Sequence, residues 1–516
     1  MLCGVSAVAL SAFAAPAFAQ TTAPAAEEVE EVVVTGIRRS LQNAQTIKQN
    51  SDVIVDSVTA EDIGALPDRS VTEALQRIPG VSINRFAAGV DPDHFSVEGS
   101  GVTVRGLNMT RSELNGRDAF TANNGRALGF ADVPSELMAG VDVYKNPSAD
   151  RIEGGIAGTV NLRTRVPFDS RGQVISFSVE GSYGDFAEEW TPTGSILYSN
   201  RWDTEYGEFG LLFNLVHSKL KTRSDGIQIS DFACRYNGAG GSYTQFGITT
   251  QDNPGVITNP GVACLDASLN NGTTQPGVYF PRGMAMRSSE HDRTREGQAF
   301  AAQWRSTDDT MLATFQYLRS EATQAWTEHA IEIASDNVRD TGPVGGQQAV
   351  GDARPVWGTD VEFDESGIFT SGVITSTTLG WSTGHDANAR RPAYGLQSNN
   401  IRRDELTTNV TEDFGFNFKW TPNYNWGISL DLQRAQSTVD ATSMGLWAST
   451  WQDAAITLNG KDLPDVQFLK PTQISPINGG TPGGTNVYLQ GANSEYSDPY
   501  NNFWRSAMDH FEQSEG

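Results

Sequence analysis

The sequence is poor in the residues that most often carry catalysis by metals or thiols. It has 3 cysteines and 6 histidines among 516 residues, and no two histidines have the short spacing of a metal-binding pair. Its one Gly-x-Ser-x-Gly segment, Gly380-Trp381-Ser382-Thr383-Gly384, lies within a long polar segment rather than between a strand and a helix, the setting that makes this motif the nucleophile turn of many hydrolases. We therefore expect no metal site, no cofactor and no enzymatic activity.

Positive charge is also scarce. Lys and Arg total 37 against 62 Asp and Glu, so the net charge is −25 at pH 7. Nucleic-acid binding needs a basic surface that replaces the counterions of the phosphates. A nucleic-acid partner is therefore not expected.

Long apolar runs are missing except at the start of the chain. Residues 5–19 are apolar and alanine-rich and end in Ala17-Phe18-Ala19, which predicts a secretory signal peptide cleaved after Ala19. The run is shorter than the roughly 20 residues of a spanning helix. Because no basic residue precedes Arg38, we expect the natural N-terminus to lie upstream of Met1. A membrane crossing would have to use β-strands.

Only Cys234 and Cys264 remain after removal of this segment. Export to an oxidising compartment favours a disulfide between them. Two free thiols are the alternative.

The segment from about 50 to 165 has mixed α and β patterns. Ser70-Val71-Thr72-Glu73 predicts a capping box, followed by a helix with Val71, Leu75 and Ile78 on one face and Pro79-Gly80 at its end. Strands are predicted at 102–106, 140–144 and 154–162. The glycines of the last segment indicate a tight turn rather than a phosphate site, because no Lys-Ser/Thr pair follows.

From Val174 onward the chain alternates with period two. Ile175, Phe177 and Val179, for example, oppose Ser176, Ser178 and Glu180. About seven such segments occur up to Asp440, joined alternately by tight turns (202–209, 305–311, 420–426) and long polar segments (219–296, 321–403, 441–516). A soluble β-sandwich also alternates. Short turns at one rim and long loops at the other favour a transmembrane β-barrel.

A series of short motifs follows in a fixed order along the chain and resembles the series found in a known family. They are Glu31-Val32-Val33-Val34-Thr35-Gly36, Leu66-Pro67-Asp68-Arg69-Ser70, Ile78-Pro79-Gly80-Val81, Val104-Arg105-Gly106-Leu107, Leu114-Asn115-Gly116-Arg117, Pro134-Ser135-Glu136-Leu137, 143–150 and 151–162. In this order, after a signal peptide and before barrel strands, they resemble the TonB-dependent outer-membrane receptors of Gram-negative bacteria, and most closely the carbohydrate-importing branch.

The resemblance implies a mainly β protein, with an α+β plug inside a 22-stranded type of antiparallel barrel. The implied parts are signal peptide 1–19, tether and TonB box 20–36, plug 37–168 and barrel 169–516. The TonB-binding residues would be Glu31, Val32, Val33, Val34, Thr35 and Gly36, which add as a strand to a sheet edge of TonB. With about seven strands and a loop-like end at 512–516, we expect the chain to be a fragment.

The implied partners are TonB, outer-membrane lipid and a small imported ligand held between plug apices and outward loops. The predicted contacts lie at 85–95 and 117–130 and are Arg85, Phe86, Asp91, Asp93, His94, Arg117, Asp118, Phe120, Asn123, Asn124, Arg126 and Phe130. Aromatic rings beside fork-shaped donors and carboxylates suit a polyhydroxylated ligand. The same residues would alternatively pack the plug and bond the barrel wall.

Tryptophans in the outward segments, such as Trp326 and Trp447, favour an oligosaccharide over a ferric siderophore. Anchoring of loops to one another is the alternative role. A protein of another class, a surface adhesin or autotransporter, would share export and β-strands. It would not need a strand-forming segment ahead of a plug, and it should show a repeated passenger sequence.

Overall fold

The structure is a computed structural model and describes residues 42–59, 70–84, 98–99, 101–122, 128–149, 151–230, 232–236, 257–258, 264–266, 275–281, 283–334, 353–356, 359–376, 396–469 and 503–516. The described residues are mainly β, as predicted. Within these ranges, none of the helices has the length and apolar character needed to cross a membrane.

An α+β domain, the N-terminal domain, occupies residues 42–169. Its elements are helix α1 (42–49), strand β1 (Val55–Thr59), helix α2 (Val71–Leu75), and strands β2 (Val81–Ile83), β3 (Val102–Val104), β4 (Thr110–Leu114), β5 (Arg117–Asp118), β6 (Met138–Tyr144) and β7 (Gly158–Thr164), with short 3-10 turns at Phe130–Asp132, Ser135–Leu137 and Pro167–Asp169. One sheet has the order β1-β6-β7-β4-β5, and β2 and β3 form a separate two-stranded antiparallel sheet.

Helix α2 presents the predicted face to the domain core, where Val71, Leu75 and Ile78 are buried. The predicted capping box is wrong, because no side-chain hydrogen bond caps the helix at Ser70. Ser70 is extended and bridges to Pro134, and its carbonyl accepts the N–H groups of Glu73 and Ala74. Pairing of the chain just before the helix therefore replaces the side-chain cap.

The strand predicted at 102–106 is shorter than expected. It ends at Val104 because Arg105 and Gly106 have φ of 52° and 79°. This left-handed pair reverses the chain, so that Val104 and Leu107 exchange backbone hydrogen bonds. The other two predicted strands are confirmed as β6 and β7.

Long antiparallel strands build the second part, here called the wall sheet. They are β8 (Val174–Gly184), β9 (Glu189–Thr204), β10 (Gly207–Ser230), β15 (Gly283–Arg305), β16 (Met311–Ala334), β20 (Leu396–Asn423), β21 (Trp426–Thr457) and β23 (Phe503–Glu515). The first seven, in this spatial order, are the predicted seven. Strand β23 shows that the prediction of a loop-like end at 512–516 is wrong. Its sequence is mostly polar, but its backbone pairs with Thr438–Ser449 of β21.

The two faces of the wall sheet differ as the alternation predicts. Phe177, Phe213 and Leu430 are 72%, 49% and 48% exposed on the outward face. The inward face carries polar and small side chains as well as Val216 and Leu318, which are part of the buried core of the N-terminal domain. Trp190 pairs with Tyr183 on the outward face at 5.3 Å between ring centroids. Trp190 therefore lies on the outward face, beside the turn between β8 and β9.

The predicted tight turns are confirmed, with β9 ending at Thr204 before Gly207 and β20 ending at Asn423 before Trp426. The long polar segments are only partly loops, which corrects the prediction. Strands β20 and β21 have 28 and 32 residues, whereas a membrane-spanning strand needs roughly 9–11. The wall strands therefore continue well beyond the apolar band.

These extensions meet shorter strands in a folded unit, here called the outer cap. The shorter strands are β11 (Ala233–Tyr236), β12 (Ile257–Thr258), β13 (Cys264–Asp266), β14 (Gln275–Phe280), β17 (Ala353–Pro355), β18 (Val361–Phe363), β19 (Phe369–Ser376) and β22 (Asp465–Leu469). The cap has its own buried core, formed by Val278, Phe280, Met284, Ile333, Val361, Phe363, Phe369, Ile374, Leu396, Ala454 and Ile456. The segments that the sequence predicts as long loops therefore pack around a hydrophobic core of their own, as a folded domain does.

Asp453 of the outer cap makes its stability depend on pH. Burial raises the pKa of this carboxyl to about 7, only partly offset by a hydrogen bond from Thr375. The folded cap therefore binds more protons than the unfolded chain, and its stability falls as pH rises from the ordinary pKa of 3.8 to about 7. We expect limited proteolysis of β19 and β21 to increase over this range in the full chain, and the Asp453→Asn variant to lose that increase.

The exposed Asp465 provides the control for this measurement. The Asp465→Asn variant should keep the pH dependence of the unmodified chain, which separates the effect of Asp453 from the pH dependence of the protease. An Asp453→Asn variant cleaved with the same pH dependence as the Asp465→Asn variant contradicts the assignment.

Candidate functional site

The N-terminal domain rests against the inward face of the wall sheet, and three glycines mark the closest approaches. A Cβ atom placed on each glycine would collide with a side chain of the N-terminal domain. It would lie 2.5 Å from Pro167 Cβ at Gly210, 2.6 Å from Leu137 Cδ1 at Gly297 and 2.9 Å from Arg117 Cζ at Gly415. Side chains of the domain therefore occupy space that only glycine leaves open in the wall.

Arg117 makes a bidentate ion pair across this interface. Its Nε and Nη2 atoms donate to Oδ1 and Oδ2 of Asp431 on β21, at 2.6 and 3.0 Å. Asn417 of the neighbouring strand donates to the same carboxylate at 2.8 Å. Arg117 is 9% exposed, so its charge depends on this partner. We call the set of Arg117, Asp431 and Gly415 the latch.

A second buried charge cluster lies on β15. Arg293 and Arg295 both donate to Oε2 of Glu98, at 3.0 and 2.8 Å. Arg295 is fully buried and its Nε also donates to the carbonyl of Ala131 at 2.7 Å. Two wall cations thus hold one carboxylate of the N-terminal domain.

Asp132 extends this cluster towards β16 and β20. Ser320 donates to its carbonyl at 2.8 Å, and Asn409 donates to its carboxylate at 3.0 Å. Burial raises the pKa of Asp132, and the charges of Arg293 and Arg295 oppose that rise. Asn214 of β10 also donates to the carbonyl of Glu136 at 2.8 Å. The N-terminal domain is therefore bonded to five neighbouring wall strands, from β10 to β21.

A patch of aromatic and charged side chains, here called the upper inner wall, lies on the inward face directly beyond the cluster of Glu98, Arg293 and Arg295. It consists of Arg287, His291, Trp326, Glu328, Arg403 and Trp447. His291 is two residues from Arg293 on the same face of β15, and its ring stacks on Trp326 with 6.3 Å between centroids and an interplanar angle of 18°. Flat faces therefore lie immediately beyond the charge cluster that contacts the N-terminal domain.

Glu328 connects the rest of the upper inner wall. Its carboxylate is fully buried and contacts Arg287 Nη1 at 2.8 Å and Arg403 Nη1 at 3.5 Å. The guanidinium of Arg403 also lies over the Trp447 ring, 5.6 Å from its centroid. The absence of a side chain at Gly445, the β21 partner of Arg403, leaves room for that ring. The patch therefore combines fork-shaped donors, carboxylate acceptors and flat rings.

Four of the predicted ligand contacts lie among the described residues. Arg117 forms an ion pair with Asp431. Asp118 forms an ion pair with Arg111, with 2.8 Å between Arg111 Nη2 and Asp118 Oδ1. Phe120 lies against Gly516, and Phe130 is buried in the core of the N-terminal domain. Each of the four therefore has an intramolecular partner, as in the alternative interpretation, and ligand contact by any of them stays a prediction.

The other predicted site residues lie outside the described ranges. They are Glu31, Val32, Val33, Val34, Thr35 and Gly36 of the TonB box, and Arg85, Phe86, Asp91, Asp93, His94, Asn123, Asn124 and Arg126 of the apical segments. The disulfide also stays a prediction. The backbones of Cys234 and Cys264 lie in β11 and β13, which both pair with β14, opposite Tyr279 and Gly277.

Sequence reasoning did not select Asp431, Arg287, His291, Glu328 or Arg403. Period two assigned Asp431 to a polar face, but it could not name Arg117 as its partner 314 residues away. The sequence predicts Trp326 and Trp447 in outward segments, without the partners they have on this face. Strand register, which brings all these residues together, was the missing information.

Comparison with known proteins identifies part of the chain. Residues 47–160 match the family described as TonB-dependent Receptor Plug Domain. None of the curated proteins compared with the chain matches it. The N-terminal domain is therefore called the plug domain below.

Solved structures with some similarity include the siderophore receptor PirA from Acinetobacter baumannii (13% identity, 81% of this chain, 60% of that chain, TM-score 0.27). A mutant of the ferric enterobactin receptor PfeA from Pseudomonas aeruginosa has 12% identity, 80% and 58% coverage and a TM-score of 0.27. For the ferric citrate transporter FecA the values are 12%, 80%, 64% and 0.25. The chain thus spans about 60% of the length of these three proteins.

The latch predicts the effect of filling Gly415. Gly415→Ala should push the Arg117 guanidinium off Asp431 and lower the free energy of unfolding of the full chain by about 1–2 kcal/mol, since Asp431 is half-exposed. Asp431→Asn should cost a similar amount, and the double variant little more than either. Denaturant unfolding measures all three.

Gly427→Ala is the matched control. Gly427 also faces inward on β21, but a Cβ atom there would meet nothing within 4 Å. This variant should unfold like the unmodified chain. If Gly415→Ala and Gly427→Ala lower the free energy of unfolding equally, loss of the Arg117–Asp431 ion pair is not the cause. The same follows if the losses caused by Gly415→Ala and Asp431→Asn add up in the double variant.

Proposed function

We propose that this chain, whose residues 47–160 form a TonB-dependent receptor plug domain, belongs to a receptor that imports a scarce solute across the outer membrane. The observation that carries the proposal is the relation of plug to sheet. The plug domain is bonded to the polar inward face through Asp431, Arg293, Arg295, Ser320 and Asn409, while the outward face is apolar. An apolar exterior with a polar, plugged interior suits a barrel in lipid.

In this proposal residues 1–19 direct export, 20–36 form the tether and TonB box, 37–168 form the plug and 169–516 belong to the barrel. TonB would pair with Glu31–Gly36 by strand addition, which uses backbone hydrogen bonds and places few demands on side chains. Mechanical work would then enter through the tether, and the plug would move relative to the wall sheet.

Binding of TonB is tested with a peptide covering residues 27–38. We expect purified TonB periplasmic domain to bind this peptide more tightly than a scrambled peptide of the same composition, because only the native order offers the β-branched run 32–35 as a strand. Isothermal titration measures both affinities. Equal affinities would remove the TonB box from the proposal and favour the adhesin class.

For the ligand we propose an oligosaccharide. The upper inner wall supports this choice because it offers two flat rings, Trp326 and Trp447, beside fork-shaped donors and carboxylates. Sugars stack their apolar faces on aromatic rings and use paired donors and acceptors for their hydroxyl groups. Arg287 and Arg403 are balanced by Glu328 and Glu332, so the patch does not favour a strongly anionic ligand.

Ligand class is tested by titrating the full-length receptor with an oligosaccharide panel and with ferric siderophores. A bound oligosaccharide should lose about tenfold in affinity in the Trp447→Ala variant, because a stacking face is removed. Trp426→Ala removes a tryptophan from the strand's rim instead, and should leave affinity unchanged. Siderophore binding without oligosaccharide binding would overturn the ligand proposal and leave the TonB result unaffected.

A further inference from the structure

The two tryptophans of the upper inner wall lie on different strands and at different heights. Trp326 of β16 pairs with Glu405 of β20, and Glu405 pairs with Ser443 of β21, so these three residues form one row across the inward face. Trp447 lies four residues beyond Ser443 on β21. Both tryptophan side chains are partly exposed, so each ring can contact a ligand on this face.

Strand geometry gives the separation of the two rings. Two strand spacings and the rise of four residues place the Cα atoms of Trp326 and Trp447 about 16 Å apart. The Trp447 ring leans back over Gly445, where an added Cβ atom would collide with it. This lean brings the two rings to about 12 Å from each other. A single sugar ring stacked on one tryptophan therefore does not reach the other.

Polar side chains lie between the two rings. Arg403 of β20 is the strand partner of both Glu328 and Gly445, and it lies two residues from Glu405. Its side chain is 30% exposed although it contacts Glu328 and the Trp447 ring. Glu405 adds a partly exposed carboxylate beside Trp326. A ligand that connects the two rings therefore passes a fork-shaped donor and an acceptor.

We propose that Trp326 and Trp447 form two separate stacking subsites for one extended oligosaccharide, whose middle unit bonds Arg403 and Glu405. The ligand is then a trisaccharide or a longer linear chain, because a disaccharide occupies only one of the two subsites. This inference rests on the proposed oligosaccharide ligand and adds its length and shape.

The two subsites differ in their distance from the plug domain. On the side of Trp326, Arg293 and Asn409 bond to Glu98 and Asp132 of the plug domain. On the side of Trp447, β21 continues into the outer cap, where it pairs with β19. An extended ligand held at Trp447 therefore reaches the subsite nearest the plug without losing its outer contact, whereas a shorter ligand loses one contact before it makes the other.

The test is isothermal titration of the purified full-length receptor in detergent with linear glucans and xylans, from disaccharide to hexasaccharide. In a series that binds, the affinity should rise about tenfold between disaccharide and tetrasaccharide, because the second ring becomes engaged, and little more beyond that length. Trp447→Ala should abolish this rise. It should leave the affinity for the disaccharide nearly unchanged, because the disaccharide can still occupy the Trp326 subsite.

Further variants separate loss of a ring from loss of folding. Trp326→Ala should give the same pattern as Trp447→Ala. Gly445→Ala should also reduce the rise, since its methyl group displaces the Trp447 ring without removing it. Trp447→Phe retains a flat ring and should retain most of the rise. Trp190→Ala is the matched control, because it removes an exposed tryptophan from the outward face, and it should bind every length like the unmodified receptor.

The outcomes distinguish this inference from the proposed function. Affinity that does not depend on chain length overturns the two-subsite arrangement and leaves the oligosaccharide ligand intact. The same holds if Trp447→Ala weakens every length by the same factor. Binding of no sugar of any length contradicts the ligand proposal, and the two subsites with it. Failure of the TonB peptide experiment would not change any of these outcomes.

Discussion

Antiparallel pairing with alternating side chains is the constraint on which the rest of the structure depends. Each wall strand sends successive side chains to opposite faces, so one sequence has to suit two environments at every residue. Phe213 and Leu215 of β10 lie on the outward face, while Asn214 and Ser218 face the plug domain. A shift of one residue in register would exchange the two faces, and the apolar band, the plug contacts and the upper inner wall would all be lost together.

Contact between plug and wall depends on glycine and on a few buried charges. Gly210, Gly297 and Gly415 let the wall approach the plug closely. Arg117 and Arg295 then bring charges into positions shielded from water, where an unpaired charge is costly. Each finds a carboxylate across the interface. The interface is therefore specific as well as closely packed, and these charges remain paired only while the plug domain stays packed against the wall sheet.

Sequence patterns predicted the elements whose signals are local. The helix face at Val71 and Leu75, the seven strands to Asp440 and the tight turns depend on periodicity and turn residues within short windows, and these agree with the structure. The final strand at 503–515 was missed because its polar sequence carries no clear alternation and its strand structure depends on pairing with β21. The side-chain cap at Ser70 failed because a bridge to Pro134 holds that residue instead.

The sequence by itself determined a β-rich chain with an α+β domain near its start and two-faced strands after it, because these properties follow from composition and short-range periodicity. Only the tertiary structure decided which residues meet. Arg117 and Asp431, and Glu328 and Arg403, are joined by strand register and by the seating of the plug domain against the wall. The physical reason is that period two assigns each side chain to a face, while its neighbours on that face come from strands whose order and offset depend on the packing of the whole molecule.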